Sequence, residues 1–222
     1  MDAVAGPFHI DWAQEDLERV NRTILKKYNA EIHSQSALEG ALELKARHNV
    51  TPRHISKVEI DIFDVAYHII GGGEEGDKTV VRAKEEADHS LPYLVAVALL
   101  DGQVMPDQYR PERIRRADVQ ALLQKVTVRP DASFTARFPR EMPCQLRVIL
   151  GDGTVFATEQ SDYEGFHTRP MSWDTAVQKF VRLSDTAGVS PSWQHEVSDI
   201  VRSFEAIRIE ELMRVLAQLP SA

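Results

Sequence analysis

The stretch that most constrains the fold is "CQLRVILGDGTVFATEQS", positions 144–161. Apolar and polar residues alternate on both sides of Gly151-Asp152-Gly153. Such alternation is typical of strands with one buried face, and glycine-containing turn residues join strands into hairpins. The stretch therefore predicts two antiparallel strands connected by a tight turn, and any fold of this chain must cover one face of that hairpin.

A third and a fourth strand are predicted among helices. "ISKVEIDIFDVA" alternates in the same way from residue 55, and "VTVRP" follows a helical pattern over 111–126. Another helix is expected from about residue 37 to Asn49, because Pro52 disfavours helical geometry in the residue before it. Its expected N-cap is Ser34 or Ser36.

"HSLPYLVAVALLDG" predicts a buried helix, since apolar residues cover all of its faces. Ser90 is its expected N-cap, Pro92 lies in its first turn, and Asp101-Gly102 ends it. Three further helices are predicted in the C-terminal part of the chain, over 172–184, 191–204 and 206–218.

Strands that are grouped with helices and joined by a hairpin predict an α+β fold with a mostly antiparallel sheet. We expect three parts: a connecting, partly helical lead-in over 1–34, an α+β domain over 35–165, and a C-terminal helical segment over 166–222. The terminal segments carry more apolar residues than one small sheet can cover. They are therefore expected to pack against another domain or subunit.

The composition limits the classes of function. A formal net charge of −8 argues against broad binding of nucleic acids, which requires a basic face. The longest apolar run, "LVAVALL", is too short to cross a bilayer, and no signal-peptide pattern is found, so the expected location is the cytoplasm. Cys144 is the only cysteine and no H-x-x-x-H pair occurs, so neither a disulfide nor a metal site is predicted.

Two of the eight histidines have neighbours that suggest chemistry. His33 and His89 each stand immediately before a predicted helix, where free backbone N–H groups and the helix dipole favour an anion. Lysine, glutamate and glutamine surround the first histidine, and arginine, lysine and tyrosine surround the second. The residues alone leave two interpretations open, an active-site wall and an ordinary helix cap.

The blocks "KKYNAEIHSQSALEGALEL" and "KEEADHSLPYLVAVALLDG" resemble the C-terminal half of the MmgE/PrpD family. The strand between them, "YRPERIRRADVQALLQKVTV" after them, "RVILGDGTVF" and "PMSWDTAVQKF" extend the resemblance over roughly residues 7–219. The family includes 2-methylcitrate dehydratases, cis-aconitate decarboxylases and an iminodisuccinate epimerase. The resemblance implies a small α+β lid domain facing a large all-helical domain, which the N-terminal half of family members supplies.

The resemblance further implies an active site in the cleft between those domains. The family removes or delivers a proton at a carbon next to a carboxylate of a small di- or tricarboxylate, without a metal or organic cofactor. Matched motif by motif, this implies that Lys26 pairs with a carboxylate, that His33 or His89 moves a proton, and that Tyr93 donates a hydrogen bond while Gln35 orients the substrate. Which histidine is the acid and which the base is open.

Glu31 stands where the decarboxylases of the family tend to carry a histidine. The resemblance is therefore greater to the 2-methylcitrate dehydratases of propionate metabolism. The candidate catalytic residues are His33, His89 and Tyr93, and the candidate substrate-binding residues are Lys26, Glu31 and Gln35.

The predicted function is the lid half of a hydro-lyase acting on a small tricarboxylate such as 2-methylcitrate. The helical half of the family is absent from these 222 residues, so activity is expected to need a helical partner or second subunit, in a homo- or hetero-oligomer such as a dimer. Whether the chain is a separate subunit, a fragment or a remnant is open. The alternatives are a non-catalytic polycarboxylate-binding or assembly module, a cis-aconitate decarboxylase-like enzyme, and an epimerase.

Overall fold

The structure is a computed structural model that describes residues 11–16, 18, 20 and 23–219 of the chain. Leu17, which belongs to the predicted lead-in helix, lies outside the described residues, as do several of its neighbours. Residues 23–31 form neither helix nor strand. Tertiary hydrogen bonds hold this segment in place instead, since the Leu25 N–H donates to the Gly165 carbonyl at 2.8 Å and the Asn29 N–H donates to the Val104 carbonyl at 3.2 Å.

Four strands form one sheet in the order β2-β1-β3-β4. They are β1 (Ile55–Ile62), β2 (Val126–Pro130), β3 (Cys144–Leu150) and β4 (Val155–Gln160). β1 pairs antiparallel with β3, and β3 with β4, whereas β1 pairs parallel with β2. The sheet is therefore mixed: the predicted antiparallel pairings are present together with one parallel pairing at the edge.

Ten α-helices occur within the described part of the chain. They are α1 (Gln35–His48), α2 (Asp64–Ala66), α3 (Lys84–Asp88), α4 (Leu91–Asp101), α5 (Pro111–Ile114), α6 (Ala117–Leu123), α7 (Ala132–Arg137), α8 (Trp173–Thr186), α9 (Pro191–Arg202) and α10 (Ile209–Leu216). A π-helix, Tyr67–Gly71, follows α2, and short 3-10 turns occupy Ile32–Ser34, Pro52–His54, Pro106–Tyr109 and Phe204–Ala206. The helices between β1 and β2 form the long crossover that a parallel pair requires.

The hydrophobic core lies between the sheet and two helices. α1 lies on β3 and β4, while α4 lies between α1 and β2. All residues of α4 from Leu91 to Leu99 are buried, which confirms the helix predicted there. Val58, Ile60 and Ile62 of β1 are fully buried on the same face. Each such side chain contributes about 1.5–3 kcal/mol when it leaves water, so this layer accounts for much of the stability.

The opposite face of the sheet is charged and exposed to water, as the alternation in β1 predicted. The Nε atom of Arg147 lies 3.1 Å from the Glu59 carboxylate, and the Nε atom of Arg129 lies 3.0 Å from the Asp61 carboxylate. These residues come from three adjacent strands. Ion pairs across strands therefore cover this face of the sheet.

The ends of α4 follow the sequence prediction, but the start of α1 does not. The Ser90 hydroxyl accepts a hydrogen bond from the Tyr93 N–H at 3.1 Å, and Gly102 ends α4 with a φ of 74°. At α1, neither predicted serine acts as a side-chain cap. The Ser34 hydroxyl donates to the Glu31 carbonyl at 2.6 Å, and the Ser36 hydroxyl is buried without a hydrogen-bond partner among the described residues.

The single helix predicted over 111–126 is two helices, α5 and α6. Arg116 is extended between them, with φ −63° and ψ 139°. The break places the Arg113 guanidinium 3.0 Å from Asp118, and Arg113 also forms a bidentate pair with Asp101 at the end of α4. Ion pairs to two other segments therefore outweigh the helical pattern at this point.

The C-terminal helices pack on one another and leave apolar side chains exposed. α9 contacts both α8 and α10. An apolar cavity of about 260 Å³ opens between α8 and α9, lined by residues such as Trp173, Phe180 and Val201. Phe204, Ile209 and Met213 are 51%, 53% and 57% exposed. Among the described residues, no helix combines the length and the apolar character that crossing a membrane requires.

Candidate active site

A carboxylate and an imidazole form a pair just before α1. The Nδ1 atom of His33 lies 2.6 Å from the Glu31 carboxylate, which also accepts the His33 backbone N–H at 2.7 Å. The side chains are 16% and 11% exposed. An ionised carboxylate only accepts hydrogen bonds, so Nδ1 carries the proton and Nε2 is left to exchange one. This pair can move a proton.

Two phenylalanines hold the imidazole in place. The centroid of the His33 ring lies 5.7 Å from that of Phe63, at the end of β1, and 5.9 Å from that of Phe138, which follows α7. The two phenylalanine rings stack on each other at 4.4 Å. An apolar wall of this kind fixes the orientation of the imidazole and strengthens its hydrogen bond to Glu31.

Gln35 shapes the segment that carries this pair. Its side-chain oxygen accepts from the Tyr28 N–H at 2.9 Å, and its amide nitrogen donates to the Tyr28 carbonyl at 3.2 Å. The residue is fully buried. Its amide groups are engaged with backbone, so the structure gives Gln35 a positioning role, and its predicted contact with a substrate stays a prediction.

Tyr93 lies inside the fold. Its side chain is fully buried, and its hydroxyl donates to the Gln108 carbonyl. Burial raises the pKa of this hydroxyl above its ordinary value of 10.0. The hydroxyl is therefore neutral and engaged within the protein, and its predicted hydrogen bond to a substrate stays a prediction.

His89 lies at the surface between α3 and α4. Its side chain is 50% exposed, and its Nδ1 atom lies 3.8 Å from the Asp88 carboxylate. No packed wall comparable to that around His33 is found among the ring contacts of the described residues. His89 is therefore open to solvent, whereas His33 is partly enclosed.

A basic cavity of about 610 Å³ lies beside residues 26–30. Its charged and hydroxyl-bearing lining residues are Lys26, Tyr28, Lys84, Asp88, Tyr109, Arg110 and Lys179. Asn29 and Ala30 complete the wall that leads directly to Glu31 and His33. One continuous segment thus carries a cation at one end and the proton-transfer pair at the other.

The structure pairs Glu31 with His33, but of the six candidate residues only Lys26 lines the basic cavity. Lys26 lines the cavity together with Asp88, the neighbour of His89, although more than sixty residues separate the two in sequence. His33 and Tyr93 do not line it. The sequence interpretation missed Lys179 and Tyr109, because no spacing pattern links either residue to the block around Lys26.

The segment before α1 is anchored by its other lysine. The Lys27 ammonium lies 3.2 Å from Glu39 and 3.0 Å from Glu164, and the Tyr28 hydroxyl donates to Glu39 at 3.2 Å. Burial, followed by the negative charge of Glu39, raises the pKa of Tyr28. These contacts fix the backbone on which Lys26 is presented.

No group of three or more histidine, cysteine, aspartate or glutamate side chains is placed to hold a metal ion within the described ranges. Cys144 is buried in β3, and that burial raises the pKa of its thiol to about 12. The thiol is therefore protonated at neutral pH and is a poor nucleophile there.

All of the candidate site residues except Lys26 lie within a region that matches a known family. Residues 28–205 match the MmgE/PrpD C-terminal domain. The chain is similar to the cis-aconitate decarboxylase of Mus musculus, with 24% identity over 191 residues that cover 79% of this chain and 37% of the relative. It is also similar to the 2-methylcitrate dehydratase of Salmonella typhimurium, with 29% identity over 149 residues that cover 64% of this chain and 30% of the relative. The chain spans about a third of the length of these curated relatives.

Proposed function

Because the chain belongs to the MmgE/PrpD family, we propose that it is the lid part of a lyase that removes water from a small tricarboxylate such as 2-methylcitrate. The family match confirms the resemblance found in the sequence. The dehydratase and the decarboxylase among the relatives are both lyases, which supports lyase chemistry at the level of the family. The substrate is our own assignment.

The observation that carries the proposal is the Glu31–His33 pair beside a basic cavity. Removing water from a hydroxy acid requires a base for the C–H bond next to a carboxylate and an acid for the departing hydroxyl. His33 takes or gives the proton through Nε2, while Glu31 keeps the imidazole in the correct tautomer and stabilises its protonated form. Lys26 holds a carboxylate of the substrate and stabilises the charge that develops on it.

Glu31 favours the dehydratase over the decarboxylase. The resemblance implies a histidine at this position in the decarboxylases, and an imidazole there would not give His33 the carboxylate acceptor that Glu31 supplies. The cis-aconitate decarboxylase-like activity is therefore the second enzymatic candidate, and an epimerase is the third.

We further propose that a helical partner completes the enzyme. Its expected contributions are the second proton-transfer group and the other wall of the cleft. Two observations support this: the curated relatives extend well beyond the matched region, and α9 and α10 expose large apolar side chains. A homo- or hetero-oligomer, with a dimer as the simplest form, would account for both observations.

A non-catalytic polycarboxylate-binding module is the alternative from another class. It is favoured by one observation, that the basic cavity is not lined by His33. In such a module the cavity would bind its ligand, and the Glu31–His33 pair would only cap the 3-10 turn.

Turnover of 2-methylcitrate separates the lyase from the non-catalytic binding module. The chain is co-expressed with the reading frame encoded beside it, and the co-purified proteins are assayed with 2-methylcitrate by the ultraviolet absorbance of the new conjugated double bond. His33→Gln should slow turnover on the order of a hundredfold, as loss of a proton-transfer group does, with little change in melting temperature. His48→Gln is the matched control, since His48 stacks on Phe156 at the other end of α1. If His33→Gln turns over normally but melts much earlier, the pair is a structural cap.

A further inference from the structure

Three lysines converge on the basic cavity without a carboxylate to neutralise them. Within the part of the chain that the structure describes, no carboxylate lies within 4.0 Å of the ammonium nitrogen of Lys26, Lys84 or Lys179. By contrast, Lys27, Lys57 and Lys78 each pair with a glutamate. Lys45 and Lys125 also lack a carboxylate partner among the described residues, but they donate to backbone carbonyls elsewhere and do not line this cavity. The distinguishing feature of the cavity is that three such lysines line it together.

Lys179 is held in this position by the segment that carries Lys26. Its ammonium donates to the Lys26 carbonyl at 2.5 Å, across 153 residues of sequence. An ammonium has three donors, so this bond leaves two of them for a ligand. Burial, and then the positive charge of Lys26, lower the pKa of Lys179. An anion in the cavity would relieve that repulsion.

We propose that the three lysines bind the carboxylates of one small hydroxy-polycarboxylate, and that Lys179 is the residue through which α8 takes part in binding it. The cavity volume of about 610 Å³ lies within the usual range for small-molecule sites. Asp88 also lines the cavity and would repel a carboxylate, but it can accept a hydrogen bond from the hydroxyl of the ligand. The ligand class rests on the proposed function, and the placement of the lysines does not.

The three lysines come from three separate segments. Lys26 precedes α1, Lys84 opens α3 and Lys179 lies in the second turn of α8. Arg110 adds a fourth positive group at the rim, where it pairs with Asp107 at 2.8 Å. A ligand with one carboxylate can contact only part of this set, and the proposal requires that a tricarboxylate engages all three lysines. The site should therefore discriminate by the number of carboxylates.

Calorimetric titration of citrate into the 222-residue chain tests this without any turnover. Low ionic strength is used, because salt screens exposed charges. Citrate should bind saturably, and acetate should not. Lys179→Gln keeps a donor for the Lys26 carbonyl and removes the charge, so it should weaken citrate binding about tenfold or more. Lys84→Gln, an exposed substitution on α3, should do the same if Lys179→Gln fails to fold.

Lys125→Gln is the matched control. Lys125 also donates to a backbone carbonyl, that of Ile55 at 2.6 Å, but it lines a different surface cavity. Its substitution should leave citrate binding unchanged. The proposal is overturned if Lys179→Gln and Lys84→Gln bind citrate normally, if Lys125→Gln weakens it equally, or if inorganic phosphate binds as tightly as citrate.

The outcomes separate this proposal from the function proposed above. Citrate binding that depends on the lysines, in a complex that never dehydrates 2-methylcitrate, would support the anion site and refute the lyase. Dehydration that is insensitive to Lys179→Gln would support the lyase and refute the role of Lys179.

Discussion

Lys26 and Lys27 show how neighbouring residues of one segment take different roles. Lys27 faces Glu39 and Glu164 and joins α1 to the loop after β4. Lys26 lines the basic cavity, where its charge has no carboxylate partner among the described residues. The first lysine therefore stabilises the fold, and the second is available to a ligand.

Substituting the two lysines should separate stability from binding. Lys27→Ala should lower the free energy of unfolding by about 0.5–1 kcal/mol, since the pair is partly screened by solvent. Lys26→Ala should leave it nearly unchanged and weaken citrate binding about tenfold or more. Urea unfolding and calorimetric titration measure the two effects. A loss of stability in Lys26→Ala with normal binding would reverse the assignment of the two residues.

At the scale of elements, α8 is attached to the rest of the molecule through polar contacts. The Thr175 hydroxyl donates to Glu164 at 2.5 Å, and the same carboxylate pairs with Lys27 at 3.0 Å. Lys179 adds its bond to the Lys26 carbonyl. Because these contacts depend on charge, the attachment of α8 depends on pH.

Glu164 should make stability fall in acid. The Thr175 hydrogen bond, assisted by Lys27 and opposed by burial, lowers the pKa of Glu164 below its ordinary value of 4.5. The unfolded chain therefore binds this proton more readily, so the stabilisation is present above pH 4.5 and is lost as the pH falls through the folded pKa. Glu164→Gln should be less stable than the parent protein by roughly 0.5–1 kcal/mol at neutral pH. The difference should shrink in acid.

Urea unfolding at several pH values measures this difference, with Glu196→Gln, an exposed substitution on α9, as the control. A stability difference between Glu164→Gln and the parent protein that stays constant well below pH 4.5 would show that Glu164 acts by shape and not by charge.

Sequence patterns predicted helices and strands correctly where the contacts that determine them lie close together in the sequence. The hairpin around Gly153, the strand β1 and both ends of α4 follow from alternation and from the capping preferences of serine and glycine. The break at Arg116 does not, because it depends on ion pairs of Arg113 to Asp101 and Asp118. The predicted serine cap of α1 was also wrong, because the Ser34 hydroxyl donates to the Glu31 carbonyl and does not accept an N–H of the helix.

At the scale of the molecule, the C-terminal helices expose an apolar surface. Phe204, Ile209 and Met213 are each about half exposed. Covering the exposed half of such a side chain is worth about 1 kcal/mol, so a partner or a second copy would gain several kcal/mol here. The sequence predicted this surplus of apolar residues, and the partner that covers them stays a prediction.

We therefore expect the isolated chain to associate as its concentration rises. Met213→Glu should reduce this association, because it places a charge in the apolar surface of α10. Arg214→Glu, one position further along the same helix, should not. Sedimentation velocity measures both, and a parent chain that remains monomeric at high concentration would contradict the expectation.

The candidate site was predictable only in part. The block around Lys26 and His33 could be found because its residues are close in sequence and match a family motif. The contribution of Lys179 could not, because it depends on the packing of α8 against a segment 153 residues away. Tyr93 is a similar case, because the burial of its helix was predicted but the hydrogen bond of its hydroxyl to the Gln108 carbonyl was not.

The strand order of the sheet also affects the order in which the strand pairs can form during folding. A tight turn joins β3 to β4, whereas Val58 of β1 and its partner Val126 of β2 are sixty-eight residues apart. Closing the longer loop costs more conformational entropy, so the hairpin can form early and the parallel pair forms late. Lys84 lies within that crossover, and Lys179 follows the hairpin. An anion that needs all three lysines would therefore bind only a chain in which these separate segments have folded together.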